Sequence, residues 1–186
     1  MSITIEDQQI NALTLTDSVY CFTDCELKNC DFSRQNLNSF EFSDCTLIQC
    51  DLSMATLENT SFNRVTFKDC KLLGLNFSKS SKFLFSVAFS TCFLDYCMFH
   101  KVNFKKTLFD ACIIKEATFE ECNLENAIFR DCNLQLSQFD RCNLKKADFS
   151  TARDYFLDLD NNNVAKAKFS YPDVLNLLSK YDINIV

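Results

Sequence analysis

From residue 22 onward, every fifth residue of this chain is large and apolar. The series runs Phe22, Leu27, Phe32, Leu37, Phe42 and so on to Phe77, then slips by two residues and resumes from Leu84 to Phe149. Twelve repeats are followed by 14, and 25 of the 26 central positions are Phe or Leu, with Ile114 the exception. The position two before each centre is usually small, as at Cys25, Ala55, Thr60, Val65, Cys92, Ala117 and Ser137. Eleven of the 12 cysteines occupy this slot, and only Cys21 stands outside it.

A period of five excludes the two common backbones. A helix turns about 100° per residue, so positions five apart are smeared round its surface. A strand alternates faces, so they point to opposite sides. A chain that turns a corner every five residues, always in the same sense, gives one wall per repeat with one large and one small residue facing in. Stacked coils then pair their backbones, which satisfies main-chain donors and acceptors. Cys122-Asn123-Leu124-Glu125-Asn126, Cys132-Asn133-Leu134 and Ala147-Asp148-Phe149 resemble the A(N/D)LXX signature of the pentapeptide-repeat family. The resemblance covers residues 20–79 and 82–151, about 70% of the chain. It implies an all-β fold, a right-handed quadrilateral β-solenoid with four repeats per coil. Its length would be roughly 30 Å before the caps, at about 4.8 Å per coil.

The expected organisation is one structural domain: an N-terminal cap at 1–19, a first solenoid segment at 20–79, a register-shift loop at 80–83, a second segment at 84–169 and a C-terminal cap helix and tail at 170–186. Ile3/Ile5 and Leu13/Leu15 alternate as a capping coil would. The single glycine, Gly74, precedes the slip, and Ser80 and Ser81 lie in it. Two readings are open there, a short loop acting as a hinge and a two-residue bulge on one corner. Past Phe149, Asp154 breaks the pattern before Leu159, Val164 and Phe169 restore it. Ser170-Tyr171-Pro172-Asp173 reads as a helix start with Ser170 as N-cap. Val174, Leu175, Leu177, Leu178 and Tyr181 give the helix an apolar face, and Ile183 and Ile185 alternate in an extended tail. This ending resembles the C-termini of quinolone-resistance (Qnr-type) and microcin-immunity members. That implies a homodimer formed end to end through Val174, Leu175, Leu178, Tyr181, Ile183 and Ile185. The other reading is a cap that covers only its own core.

Composition removes most catalytic chemistry. One Gly cannot build a phosphate-cradling loop, and one His excludes two-histidine zinc motifs. No cysteine pair has Cys-x2-Cys spacing. Cys30, Cys50 and Cys70, and again Cys92, Cys112 and Cys132, should form ladders of small buried hydrophobes. Cys97 and His100 are near in sequence but fall on opposite sides of the wall. Glu120, Asp140 and Asp160 should stack as a solvated row. The expectation is a protein that is not an enzyme, with no cofactor and no metal. The N-terminus has neither a basic region nor an apolar run, and no stretch approaches the roughly 18 apolar residues of a membrane span. A cytoplasmic location with reduced thiols and no membrane contact is expected.

The net charge is −6 and the isoelectric point near 4.8, which argues against direct nucleic-acid binding. Residues 1–60 carry a net of −8, with ten acids against Lys28 and Arg34. Besides Glu6, Asp7 and Asp17 these acids are Asp24, Glu26, Asp31, Glu41, Asp44, Asp51 and Glu58. The remainder is +2. If centres and small residues point in, then Phe83, Phe85, Ala88, Phe93, Tyr96, Met98, Leu108, Ile113 and Ile128 point out. A partner patch at Phe93, Met98, Leu108, Ile113 and Ile128 follows. The Qnr-type resemblance implies an acidic DNA mimic that protects or modulates a type II topoisomerase, either DNA gyrase or topoisomerase IV. Such relatives often carry a larger protruding loop, which the unbroken run of 14 repeats does not leave room for. The alternative is a generic interaction scaffold that uses the apolar patch and has no topoisomerase role.

Overall fold

The computed structural model describes residues 2–16, 18–181 and 183–184. The backbone winds as a right-handed, four-sided β-solenoid in which segments one coil apart pair in parallel. Sides are numbered here in the order the chain visits them. Side 1 starts as a four-stranded sheet from Ser2–Glu6 to Ser61–Asn63. Side 2 is one continuous nine-stranded sheet from Gln9–Asn11 to Lys168–Phe169, about 38 Å at the usual strand spacing. Side 3 is a row of single bridges through Asp31, Asp51, Lys71, Phe93, Ile113, Asn133 and Arg153. Side 4 carries Met98–His100, Thr118–Glu120 and Gln138–Asp140.

Each corner is made by the residue two beyond the centre. Asn29, Gln49 and Asp69 have φ of 53°, 54° and 53°, and the same conformation recurs coil after coil. One left-handed residue between two extended ones turns the chain. Among residues with a Cβ, Asn and Asp accept that at least cost, but Tyr96 and Leu136 adopt it too, at 61° and 59°. The stack enforces the turn even where the residue resists it.

The interior is a set of columns. Phe99, Phe119 and Phe139 stack at 4.7 Å between centroids on side 4. Rings on adjacent sides meet edge-on, as Phe99 and Phe104 do at 5.1 Å and 80°, and so do rings facing each other across the axis, as Phe109 and Phe119 do at 6.4 Å and 84°. Both arrangements suit the quadrupoles of the rings. The small slot supplies something besides volume. Cys50 Sγ donates to the carbonyl of Leu27 (3.4 Å), Thr60 Oγ1 to Leu37 (2.8 Å) and Ser137 Oγ to Ile114 (2.5 Å). Asn162 Nδ2 does the same to Phe139 (2.9 Å). In every case the acceptor is a central residue of the preceding coil. The slot is set by size, and where Cys, Ser or Thr stands in it the side chain adds a hydrogen bond to the coil below that Ala and Val cannot make.

The register slip corrects three expectations. Leu84, expected as the first inward centre of the second run, is 58% exposed with φ 52°. Phe85, expected outside, is buried on side 1 between Phe62 (6.4 Å) and Phe104 (5.7 Å). Ser80 and Phe85 are five residues apart where a slot and its centre are usually two, and Phe85 and Val87 are two apart where three is usual, so the net gain is two residues, the residue that returns to the rung is 85, and its ring continues the Phe column. Regular spacing resumes at the buried Val87 and Phe89. Of the two readings of the slip, the bulge is the one observed. Val65–Lys68 pairs directly with Val87–Ser90 within the side-2 sheet, and the ladders of sides 3 and 4 continue across as Lys71–Phe93 and Asn76–Met98. Gly74 is not at a hinge but at an ordinary corner, φ 66°, with its N–H on Asp95 O at 2.9 Å. Ser80 is buried with Oγ on Phe77 O (2.6 Å), and the Ser81 N–H reaches Thr60 O (2.9 Å). These three residues are held in the wall.

Both ends are closed by the chain itself. Ser2–Glu6 pairs with Val19–Thr23 and Gln9–Asn11 with Glu26–Lys28, so the N-terminal segment is itself a shortened coil. At the other end a 3-10 helix spans Asp173–Tyr181 and lays Leu177, 2% exposed, on the core. Ser170 does not act as a side-chain cap. Its Oγ donates to Ala152 O (3.2 Å) and pairs with the Tyr155 hydroxyl (3.1 Å). Tyr155 is buried and fills the place that Asp154 leaves empty.

Candidate interaction surface

The acidic residues form a collar round the N-terminal third. Asp24 and Asp44 lie on the corner between sides 1 and 2, Glu26 on side 2, Asp31 and Asp51 on side 3, Glu58 on side 4 and Glu41 on side 1. Asp31 and Asp51 are direct bridge neighbours. The Asp31 carboxyl is held below its usual range by the hydroxyl and N–H of Ser33, at 2.6 and 2.9 Å. Asp44 is likewise lowered, by Arg64, whose Nε lies 2.5 Å away. Residues 20–60 hold seven acids against two bases, a net of −5. Spread over two coils of about 4.8 Å, that is roughly one net charge per 2 Å of axis, against about 1.7 Å for duplex DNA. The distribution, however, is a ring and not two helical lines. Beyond residue 60 the signs mix, with Lys105–Glu125 (2.8 Å), Arg130–Asp110 (2.6 Å) and Lys168–Asp148 (2.9 Å) paired between coils.

The outward apolar residues occupy three sides. Phe93 and Ile113 are bridge partners on side 3, Leu108 and Ile128 are strand partners on side 2, and Met98 is on side 4. Phe93, Met98 and Ile128 are exposed, at 42%, 46% and 42%, while Leu108 and Ile113 are half-buried by the neighbours above and below in their ladders. Corners separate the sides, so the patch is a set of short stripes. Phe83, at 77%, projects from the bulge.

The groups that invited a chemical reading are separated or neutralised. Cys97 is buried within the wall and His100 lies outside it. His100 Nδ1 stands 3.2 Å from Glu120, but Arg141 lies 2.6 Å from Glu120 and 3.4 Å from Glu121, and Lys101 is 3.4 Å from Glu121. The three potential ligands His100, Glu120 and Glu121 therefore already carry two cations. Burial pushes the Cys45 thiol up to about 11. Hydrogen bonding to the next thiol along the column, opposed by the bond to the preceding thiol and reinforced by burial, pushes Cys92 and Cys112 up to about 12, so these sulfurs stay protonated. At the C-terminal end Leu175 and Leu178 are half-buried, Val174 packs on the core, and Tyr181 and Ile183 are 43% and 56% exposed. Ile185 lies outside the described residues. Sequence reasoning passed over the outer asparagine ladder on side 1, where Asn123, Asn143 and Asn163 each donate to the Asn one coil back at 3.0, 3.0 and 3.3 Å. The recurring Asn before the centre was its signal.

The family model described as a pentapeptide repeat region matches residues 20–96 and 82–169. The chain belongs to the pentapeptide repeat family. No protein of curated function matches this pentapeptide repeat protein in sequence. Among solved structures, a trypsin-treated form of QnrB1, a plasmid-mediated fluoroquinolone resistance protein, is 22% identical, with a TM-score of 0.50 over 100% of this chain and 98% of its own. HetL, a pentapeptide repeat protein involved in heterocyst differentiation regulation from the cyanobacterium Nostoc sp. strain PCC 7120, is 15% identical, with a TM-score of 0.45 over 90% of this chain and 85% of its own. The QnrB1 likeness shows a shared fold. No helix among the described residues is long and apolar enough to cross a membrane.

Proposed function

We propose that this pentapeptide repeat protein is a non-catalytic, cytoplasmic binding protein that engages a type II DNA topoisomerase, gyrase or topoisomerase IV, through its acidic N-terminal third. The observation that carries the reading is the charge density there, close to that of a DNA duplex on a rod of fixed width. A positively charged groove built for DNA would accept such a rod by the same field that steers DNA into it. The end-to-end correspondence with a fluoroquinolone resistance protein agrees with this. Its C-terminal end, with Tyr181 and Ile183 exposed, is assigned to a homodimer.

The test is a gyrase supercoiling assay with the protein titrated in, with and without a fluoroquinolone. Inhibition of the enzyme, or rescue from the drug, at micromolar protein or below is the expected result. No effect at tens of micromolar would overturn the reading. The outward stripes at Phe93/Ile113 and Leu108/Ile128 favour a second reading, a scaffold that binds another protein through apolar contact. Duplex DNA and salt should compete with the first mode and spare the second.

A further inference from the structure

We infer that side 2, with the corner between sides 1 and 2, is a self-complementary surface on which a second copy of this chain docks side by side and antiparallel. The nine-stranded sheet fixes the order of outer residues along this face. Its corner changes sign from end to end, with Asp24 and Asp44 at the N-terminal end, Arg64 next to them, and Lys106, Lys146 and Lys166 at the other end, all exposed. The adjacent outer column runs from Gln9 and Glu26 through Thr46 and Thr66, is apolar in its middle at Ala88, Leu108 and Ile128, and ends at Asp148 and Lys168. A face with opposite charges at its ends and an apolar centre is complementary to itself when turned end for end, as an isologous two-fold contact requires.

Charge also selects the register. A two-fold axis between Val87–Ser90 and Leu108–Asp110 sets Asp24 of one copy opposite Lys166 of the other, Asp44 opposite Lys146 and Glu26 opposite Lys168, each twice by symmetry. Ala88 then meets Leu108 at the centre. Moving the axis half a coil, onto Val87–Ser90, would set Glu26 against Asp148. A parallel arrangement would set acid on acid. Two like-charge pairs arise, Lys68 opposite Arg130, where Asp110 already holds Arg130 at 2.6 Å, and at the far corner of side 2 Asp69 opposite Asp131. Asp24, Lys146 and Lys166 have no ion-pair partner of their own among the described residues, whereas Asp44 is already held by Arg64 at 2.5 Å and Lys168 by Asp148 at 2.9 Å, so the Asp24–Lys166 pair is the one the contact gains without sharing an existing bridge. The face is about 38 Å long and about 13 Å wide, so the contact buries roughly 1,000 Å² in total, at the lower limit for a specific interface. A salt-sensitive association of micromolar strength or weaker follows. It is separate from any contact at the C-terminal end and does not depend on the topoisomerase reading.

The experiment is sedimentation equilibrium of the full chain at low and high salt, with Asp24→Lys, Lys166→Asp and the double variant. All are foldable on local grounds, since Lys106 and Asp69 already adopt the corner conformation at φ 63° and 53°. Thermal melts by circular dichroism verify the fold of each. The expected result is an association step that weakens in high salt, weakens at least tenfold in either single variant and returns in the double variant, whose swapped charges are again complementary. Absence of a salt-sensitive step, or single reversals that leave it within twofold, would overturn the proposal and leave this face to a different partner. A double variant as weak as the singles would overturn the register.

Discussion

Truncation of Phe119 to alanine should show how this fold divides its stability. The ring has no exposed surface and stacks at 4.7 Å on both Phe99 and Phe139, with edge contacts to Phe104, Phe109 and Phe129. Removing a fully buried Phe costs about 3–5 kcal/mol in transfer and cavity terms, and the upper half of that range applies because two stacked partners lose a face. For a chain of this length, about 4 kcal/mol corresponds to a fall in Tm of roughly 8–16 °C. Because each coil touches only the coils above and below, the damage should also be local. Urea unfolding followed by far-ultraviolet circular dichroism should show a lower midpoint and a broadened or split transition, as coils on either side of the defect come apart separately. Phe119→Leu keeps most of the volume, and the same column already uses Leu37 and Leu57, so its cost should stay below about 1.5 kcal/mol. A loss below about 1.5 kcal/mol for the alanine variant, with an unchanged single transition, would refute the stacked-column account.

Thr60→Val keeps the shape but removes one of two donors to Leu37 O, which keeps the Phe40 N–H at 3.0 Å; it should cost about 0.5–1.5 kcal/mol for the lost hydrogen bond, read by urea titration, whereas Thr60→Ser should be nearly neutral. Gly74→Ala drives a Cβ into Met54 Sδ at φ 66°, and should lower Tm; Met54 is exposed, so adding Met54→Ala should recover the part due to the clash and leave the cost of the left-handed backbone, about 1 kcal/mol. Cys45, Cys92 and Cys112 have folded-state values raised to about 11, 12 and 12 above the ordinary 9.0, so their contribution is complete below pH 9 and is lost as pH rises through 11 to 12. Each thiol adds a slope of roughly 1.4 kcal/mol per pH unit in that window, and the melting temperature should fall steeply above pH 9 while staying flat between 7 and 9.

How much was legible in the sequence follows from what repeats. Position in a five-residue frame dictates inward or outward for nearly every residue between 20 and 152, because each wall is a copy of the last and meets the same neighbours one coil away. Phe, Leu and the small slot could therefore be placed without coordinates, as could the separation of Cys97 from His100. The frame carries no information where copying stops. At the bulge, Leu84 and Phe85 exchanged their expected places, since the outcome depends on which residue can reach the rung between Phe62 and Phe104 after two extra residues, and that distance is tertiary. At the C-terminal end Tyr155 rather than Asp154 took the interior, and Ser170 turned its hydroxyl toward Tyr155 and Ala152 instead of capping the helix.

The surface shows the same division. The number of acids in residues 1–60 is a property of the sequence, but that they ring the rod, that Asp44 is held by Arg64 and that one corner reverses sign along its length depend on which residues a 20-residue coil, lengthened to 22 at the bulge, brings into one column. The sequence by itself determined the backbone's periodic path, because main-chain pairing and core volume leave a five-residue repeat no other compact solution. Only the tertiary structure decided which charges and which apolar residues become neighbours on the outside, because the outer positions are not constrained by the core and acquire their partners from the stacking alone.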